Sequence, residues 1–286
     1  MRARSAVSVF VIAASSVACR GSSDAITIVA SMYPLAWAAR SVGGPHVEVT
    51  DLTPHGAEAH DTTLTAAQRA DLQTSDVVVY LGDIGFQPDV ERAVGDAEGT
   101  VVDVSRGLES DLTADPHVWL DPVAMTRIVD EIRAALVDAD GAGSAAFDAR
   151  ARAADRALDD LDRSYREALV DCDFTTFVAT HEAFGYLADR YGLEQIGILG
   201  LVPETEPTAE QVQAVEEAID TGEAAPALFF EDTPEGADIA DAIASDAGVP
   251  AFPLGTLEAD PGSGDYVSVM RANLRSLTEG LGCATA

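Results

Sequence analysis

Phe147-Asp148-Ala149-Arg150-Ala151-Arg152-Ala153-Ala154-Asp155-Arg156-Ala157-Leu158-Asp159-Asp160-Leu161-Asp162-Arg163-Ser164-Tyr165-Arg166-Glu167-Ala168-Leu169 places Phe147, Ala151, Ala154, Leu158, Leu161, Tyr165 and Leu169 at steps of three and four residues, with charges on the remaining faces. That spacing predicts one amphipathic helix. At about 1.5 Å rise per residue, roughly 25 residues make a rod about 38 Å long, enough to run the length of a domain. A second helical pattern precedes it. Asp121 can cap it, Pro122 suits its first turn, and Met125, Ile128, Val129, Ile132 and Leu136 share one face.

Short β-rich runs lie on both sides of these helices. Before them come residues 26–30, 47–50, 77–81 and 100–104, and after them residues 174–180, 195–198, 227–230 and 249–252. Helical stretches separate the strands, among them 65–72, 209–220 and 234–247. Alternation of this kind predicts an α/β fold of two similar lobes, each a small, mostly parallel sheet with flanking helices, joined by one long rigid helix. The expected division is an N-terminal lobe over 26–140, a connecting helix over 141–171 and a C-terminal lobe over 172–286. A single rod between the lobes should restrict hinge motion.

Residues 1–18 read as an export signal: Arg2 and Arg4 precede an apolar run from Ala6 through Ala14 that is too short to span a bilayer. Cys19 follows Val17 and Ala18, the setting of a lipoprotein processing site, although Ser16 stands where Leu is usual. Acylation of Cys19 would anchor the chain to the outer face of the cell membrane, periplasmic where there are two membranes, with 19–25 as a tether. The chain has a formal charge of −32 and no lysine, which makes nucleic acid a poor partner. Its acids are scattered through predicted helices, the pattern of a solvated surface, and their field would also draw cations. Cys172 and Cys283 make an even pair in an exported chain, a candidate disulfide, with two free buried thiols as the alternative.

Of the five histidines, three stand where a predicted strand gives way to a loop. His60 lies in Pro54-His55-Gly56-Ala57-Glu58-Ala59-His60-Asp61. His117 lies in Asp115-Pro116-His117-Val118-Trp119-Leu120-Asp121-Pro122. His181 follows the strand over 174–180, in Thr180-His181-Glu182-Ala183-Phe184-Gly185-Tyr186. Ligands of open α/β sheets bind outside the carboxyl ends of the strands, so an interlobe cleft could gather all three. Three imidazoles and one oxygen make a tetrahedral Zn2+ site.

These segments resemble those of the cluster A-I metal-binding lipoproteins of ABC transporters, the ZnuA-type and TroA-type family. Asp115 to Pro122 matches the family's Asp-Pro-His-x-Trp-Leu-Asp-Pro segment almost letter for letter. Pro54 to Asp61 resembles its first histidine loop, Thr180 to Tyr186 and Arg190-Tyr191-Gly192-Leu193 its third, and Glu206-Pro207-Thr208 its following helix start. The resemblance covers nearly the whole mature chain. It implies that His60, His117 and His181 are metal ligands and that the fold is two-lobed with a rigid linker. The implied function is that of an extracytoplasmic substrate-binding protein, a monomer with no catalytic activity, which delivers metal to an ABC permease and its ATPase. Three imidazoles favour Zn2+ over the harder Mn2+, which is the alternative cargo. A zinc-dependent hydrolase is the more distant alternative, and no His-Glu-x-x-His pair supports it.

The fourth ligand departs from the pattern. Where the family commonly has Asp after the last strand of the second lobe, this chain reads Ala251-Phe252-Pro253-Leu254-Gly255, and Phe252 cannot bind metal. The expected substitute is Glu231, at a predicted strand end; Glu58, Glu258, Asp260, His55 and water remain open. Asp61, Asp115 and Glu182, each within two residues of a histidine, are expected to orient the imidazoles.

Overall fold

The computed structural model describes residues 25–284 except 54, 61, 83, 109–111 and 200–207. The export signal and Cys19 therefore lie outside the described residues, as does Asp61. Among the described residues no helix is long and apolar enough to cross a membrane.

The first lobe runs β1 (Ile26–Ala30), α1 (Tyr33–Gly43), β2 (Val47–Asp51), α2 (Ala66–Thr74), β3 (Val77–Tyr80), α3 (Pro88–Val94) and β4 (Thr100–Asp103). Then come α4 (Pro122–Ala139) and the long α5 (Ser144–Ala168), of 25 residues. The second lobe runs β5 (Thr176–Ala179), α6 (Gly185–Tyr191), β6 (Glu194–Gly197), α7 (Ala209–Asp220), β7 (Leu228–Glu231), α8 (Pro234–Ala247), β8 (Ala251–Leu254) and α9 (Tyr266–Gly280). Both sheets are parallel throughout, in the orders β2-β1-β3-β4 and β6-β5-β7-β8. The two lobes thus repeat one topology, in which the strand order reverses beside β1 and beside β5.

Local signals explain most boundaries. Thr65 and Thr208 close capping boxes with Gln68 and Gln211, Asp121 accepts from the Val123 N–H ahead of Pro122, and Gly192 and Gly248 end α6 and α8 at φ 70° and 69°, where a Cβ would be strained. Two strands differ from the sequence expectation by two residues. β5 begins at Thr176, not at 174, because the Phe174 N–H is taken by the Leu281 carbonyl next to the Cys172–Cys283 bridge. β8 is displaced towards the C-terminus by two residues, its register pairing Leu228 with Ala251 and Glu231 with Leu254. Pro253 is tolerated there because β8 is an edge strand.

Parallel sheets are covered on both faces. Val29, Leu52, Leu72 and Val78 fill the outer face of the first sheet, and Val178, Val215, Leu228 and Ile243 that of the second. The inner faces share one apolar core that runs from Ile28 and Trp37 through Ile128, Phe147, Leu158 and Tyr165 to Phe177, Phe229 and Leu277. The lobes are stitched by Trp119 Nε1 donating to the Thr256 carbonyl at 2.7 Å, Tyr266 donating to the Trp119 carbonyl at 2.6 Å and Tyr165 donating to the Met270 carbonyl at 2.6 Å. Wide hinge opening would expose this core, so the helix is a strut rather than a joint.

One buried acid runs against this economy. Burial lifts Asp51, at the end of β2, to about 7, while the Thr53 N–H and Arg40 pull it down and Asp260 adds to the rise. A carboxyl that titrates near 3.9 in the unfolded chain then takes up a proton on folding, so its contribution is present below that value and lost as pH rises through about 7. Asp51→Asn is therefore expected to melt above the parent, with a margin that widens from about pH 4 to 7 and levels off above. A margin independent of pH, read by calorimetry, would refute the assignment.

Candidate metal centre

The loops at the carboxyl ends of β2, β5, β7 and β8 meet the segment before α4 in the cleft between the lobes. His117 precedes a 3-10 turn at Val118–Leu120 and is fully buried. Asp115 holds it: one carboxylate oxygen accepts from the His117 backbone N–H at 2.9 Å and lies 2.8 Å from Nδ1. Nε2 is thereby directed inward, where it lies 3.2 Å from Glu258 Oε1. Burial opposes an imidazolium here, but Asp115 and Glu258 outweigh it and raise His117 to about 9.

His181, just beyond β5, stands at the point where the strand order of its sheet reverses. Its ring meets that of His117 edge to face at 5.1 Å between centroids. Nδ1 lies 3.2 Å from Glu231 Oε2. The other Glu231 oxygen accepts from the Thr256 hydroxyl at 2.6 Å, and the Glu231 backbone N–H donates to Thr180 Oγ1. The carboxylate expected to bind metal thus faces His181 with one oxygen and Thr256 with the other, contacts of the kind that orient an imidazole.

Glu258 is the carboxylate that lies in both groups of donor atoms. It is 2% exposed; its Oε2 accepts from the Ala59 N–H at 3.0 Å while Oε1 faces His117. Burial would raise its pKa, but the hydrogen bond from His117 and the charges of His117, His181 and His60 overcome that and hold it low. The preceding Leu257 is the one non-glycine residue with positive φ among the described residues, at 61°. Such a conformation costs about 1–3 kcal/mol and persists only where the surroundings enforce it. Here Thr256 is tied to Trp119 and Glu231 on one side and Glu258 to Ala59 on the other.

His60 lies 3.3 Å from Glu58 through its Nε2. The hydrogen bond with His60 pulls Glu58 down, yet burial and the carboxylates of Glu231 and Glu258 leave it raised. Phe86 packs between His60 and His117, with centroids 6.4 and 6.2 Å away. Among the described residues the donor atoms fall into two sets, His117 with His181 and Glu258, and Glu58 with His60 and Glu258, each with all donors within 4.8 Å of one another. The structure therefore gathers the three histidines around Glu258, but with His60 in a neighbouring set rather than in direct register with the other two. In a tetrahedron with arms of about 2.0–2.1 Å the donors stand about 3.4 Å apart. The His117–Glu258 and His60–Glu58 separations, 3.2 and 3.3 Å, already match that edge.

Of the remaining expectations, Asp115 orients its histidine as expected, and Glu182 lines a separate cavity beside α6. Asp260 offers its carbonyl to His55 Nδ1 at the rim. Phe86 was not singled out by sequence; its one signal is its position in the loop beyond β3.

A two-lobed α/β protein with a strut helix and a buried nest of imidazole and carboxylate at the lobe junction is a solute-binding protein built for a metal cation. Residues 28–280 match the model of the family described as zinc-uptake complex component A, periplasmic, and the chain belongs to that family, ZnuA. It is accordingly an exported binding component of zinc uptake through an ABC system, not an enzyme. The high-affinity zinc uptake system protein ZnuA of Bacillus subtilis is 28% identical over 90% of this chain and 88% of its own length. The zinc-binding lipoprotein AdcA of Streptococcus pneumoniae is 30% identical over 92% of this chain but only 58% of its own length. The crystal structure of the Zn(II)-bound ZnuA-like domain of that AdcA superposes with a TM-score of 0.79 at 28% identity, covering 90% of this chain and 99% of the domain.

Proposed function

We propose that this chain captures a single Zn2+ in the interlobe cleft on His60, His117, His181 and Glu258, and passes it to the permease and its ATPase. The observation that carries the ligand set is Glu258: a buried carboxylate shared by both donor sets, with His117 Nε2 already at tetrahedral spacing from it. Three nitrogens and one oxygen suit zinc better than manganese. Asp115 and Glu231 serve as orienting acceptors for His117 and His181. The protein works as a monomer tethered by an acyl chain on Cys19, with zinc holding the lobes together.

Titration calorimetry tests the fourth ligand. Glu258→Ala is expected to weaken zinc binding by more than about 100-fold, and Glu231→Gln by about tenfold, the lower end of what loss of an orienting partner costs. The opposite ranking would hand the ligand role to Glu231. In competition, zinc should displace Mn2+; preference for Mn2+ would overturn the cargo.

A further inference from the structure

We propose that Glu58, His60 and Glu258 form an outer zinc station at the mouth of the cleft, on which the ion lands before Glu58 is exchanged for His117 and His181. The inference rests on the ligand set proposed above and adds to it a residue, Glu58, that the bound state does not use. The geometry points to it in three ways. First, the set is a complete three-donor group, with Glu58 Oε2 and His60 Nε2 at 3.3 Å. Second, side-chain exposure falls steadily along the path, from 31% at Glu58 to 8% at His60, 2% at Glu258 and nil at His117. Third, a cavity of about 130 Å³ opens beside Glu58 and Glu258, with Asp232, Asp260 and Glu231 also in its wall. Its carboxylates concentrate cations at the outer set.

Glu258 is built to connect the two sets. Oε2 is held by the Ala59 N–H, in the same loop as Glu58 and His60, while Oε1 faces His117. An ion bound outside can move to the inner donors without leaving this carboxylate. The device answers a physical difficulty: the inner set is almost wholly buried, and a hydrated ion cannot shed all its water in one step at such a depth. A partly exposed stop with one imidazole lets water leave in stages. Because Glu58 acts on the path and lets go at its end, it lowers the barrier in both directions.

Stopped-flow measurement of Zn2+ capture, and of Zn2+ transfer from the loaded protein to a chromophoric chelator, tests this with Glu58→Gln in the otherwise intact chain. Capture and release are both expected to slow by about tenfold and by the same factor. The deficit should persist at about 0.5 M salt, where attraction by the general field is screened. Unchanged rates would remove Glu58 from the path, as would a deficit that disappears with salt. Faster release with normal capture would make Glu58 a ligand of the bound state. His117→Ala, run in parallel, separates the two proposals: parental affinity in that variant would sink the ligand set itself, whereas the Glu58 rates bear on the station alone.

Discussion

Replacing His117 by alanine is expected to lower zinc affinity by about two to three orders of magnitude. Apparent binding free energies of four-ligand zinc sites are of order 10–16 kcal/mol, so one ligand in four accounts for about 3–4 kcal/mol, and each 1.4 kcal/mol is tenfold. The loss is not repaired locally. His117 is wholly enclosed by Phe86, Trp119 and His181, which leaves no room for a second side chain to swing in, and its removal leaves Asp115 and the buried Glu258 facing a void. Calorimetry or chelator competition reads the effect directly. A dissociation constant within threefold of the parent would remove His117 from the shell, where threefold is about 0.65 kcal/mol.

Removing the disulfide is the second large effect, and it falls on stability. Cys172 and Cys283 are bonded across a sequence separation of 111 residues, tying the start of the second lobe to the end of α9. Their segments also pair as an isolated antiparallel bridge, with the Phe174 N–H donating to the Leu281 carbonyl and the Ala284 N–H to the Asp171 carbonyl. A crosslink closing about 100 residues restricts the unfolded chain by about 4.7 kcal/mol in the loop-entropy account. The double variant Cys172→Ser, Cys283→Ser should therefore melt roughly 8 °C or more below the parent, at about 2–4 °C per kcal/mol for a chain of this size. Calorimetry of the parent with and without reductant should give the same displacement. A shift under about 2 °C in both would show that the hydrogen-bonded bridge alone holds the C-terminus.

Much of the architecture was readable because its causes are local. The three- and four-residue spacing from Phe147 to Tyr165 determines a helix wherever it is placed, and α7 and α8 begin and end where Thr208, Pro234 and Gly248 require. Strand limits were less legible where a long-range partner competes. Phe174 has the composition of a strand residue, yet its N–H belongs to the Leu281 carbonyl, and the placement of β8 is decided by its register with β7. The pairing of Cys172 with Cys283 likewise depended on the start of the second lobe meeting the segment after α9.

By itself the sequence determined two α/β lobes, a rigid rod, an exported character and three histidines in loops, since periodicity, caps and motif spacing act over a few residues. Only the tertiary structure decided which carboxylate stands between the buried histidines. In a chain with 49 acidic residues no composition distinguishes Glu258 from Glu231, Glu58 or Asp260. The choice is made by a left-handed Leu257, a tie from Ala59 and a hydrogen bond with His117, contacts between segments that lie more than a hundred residues apart in the chain.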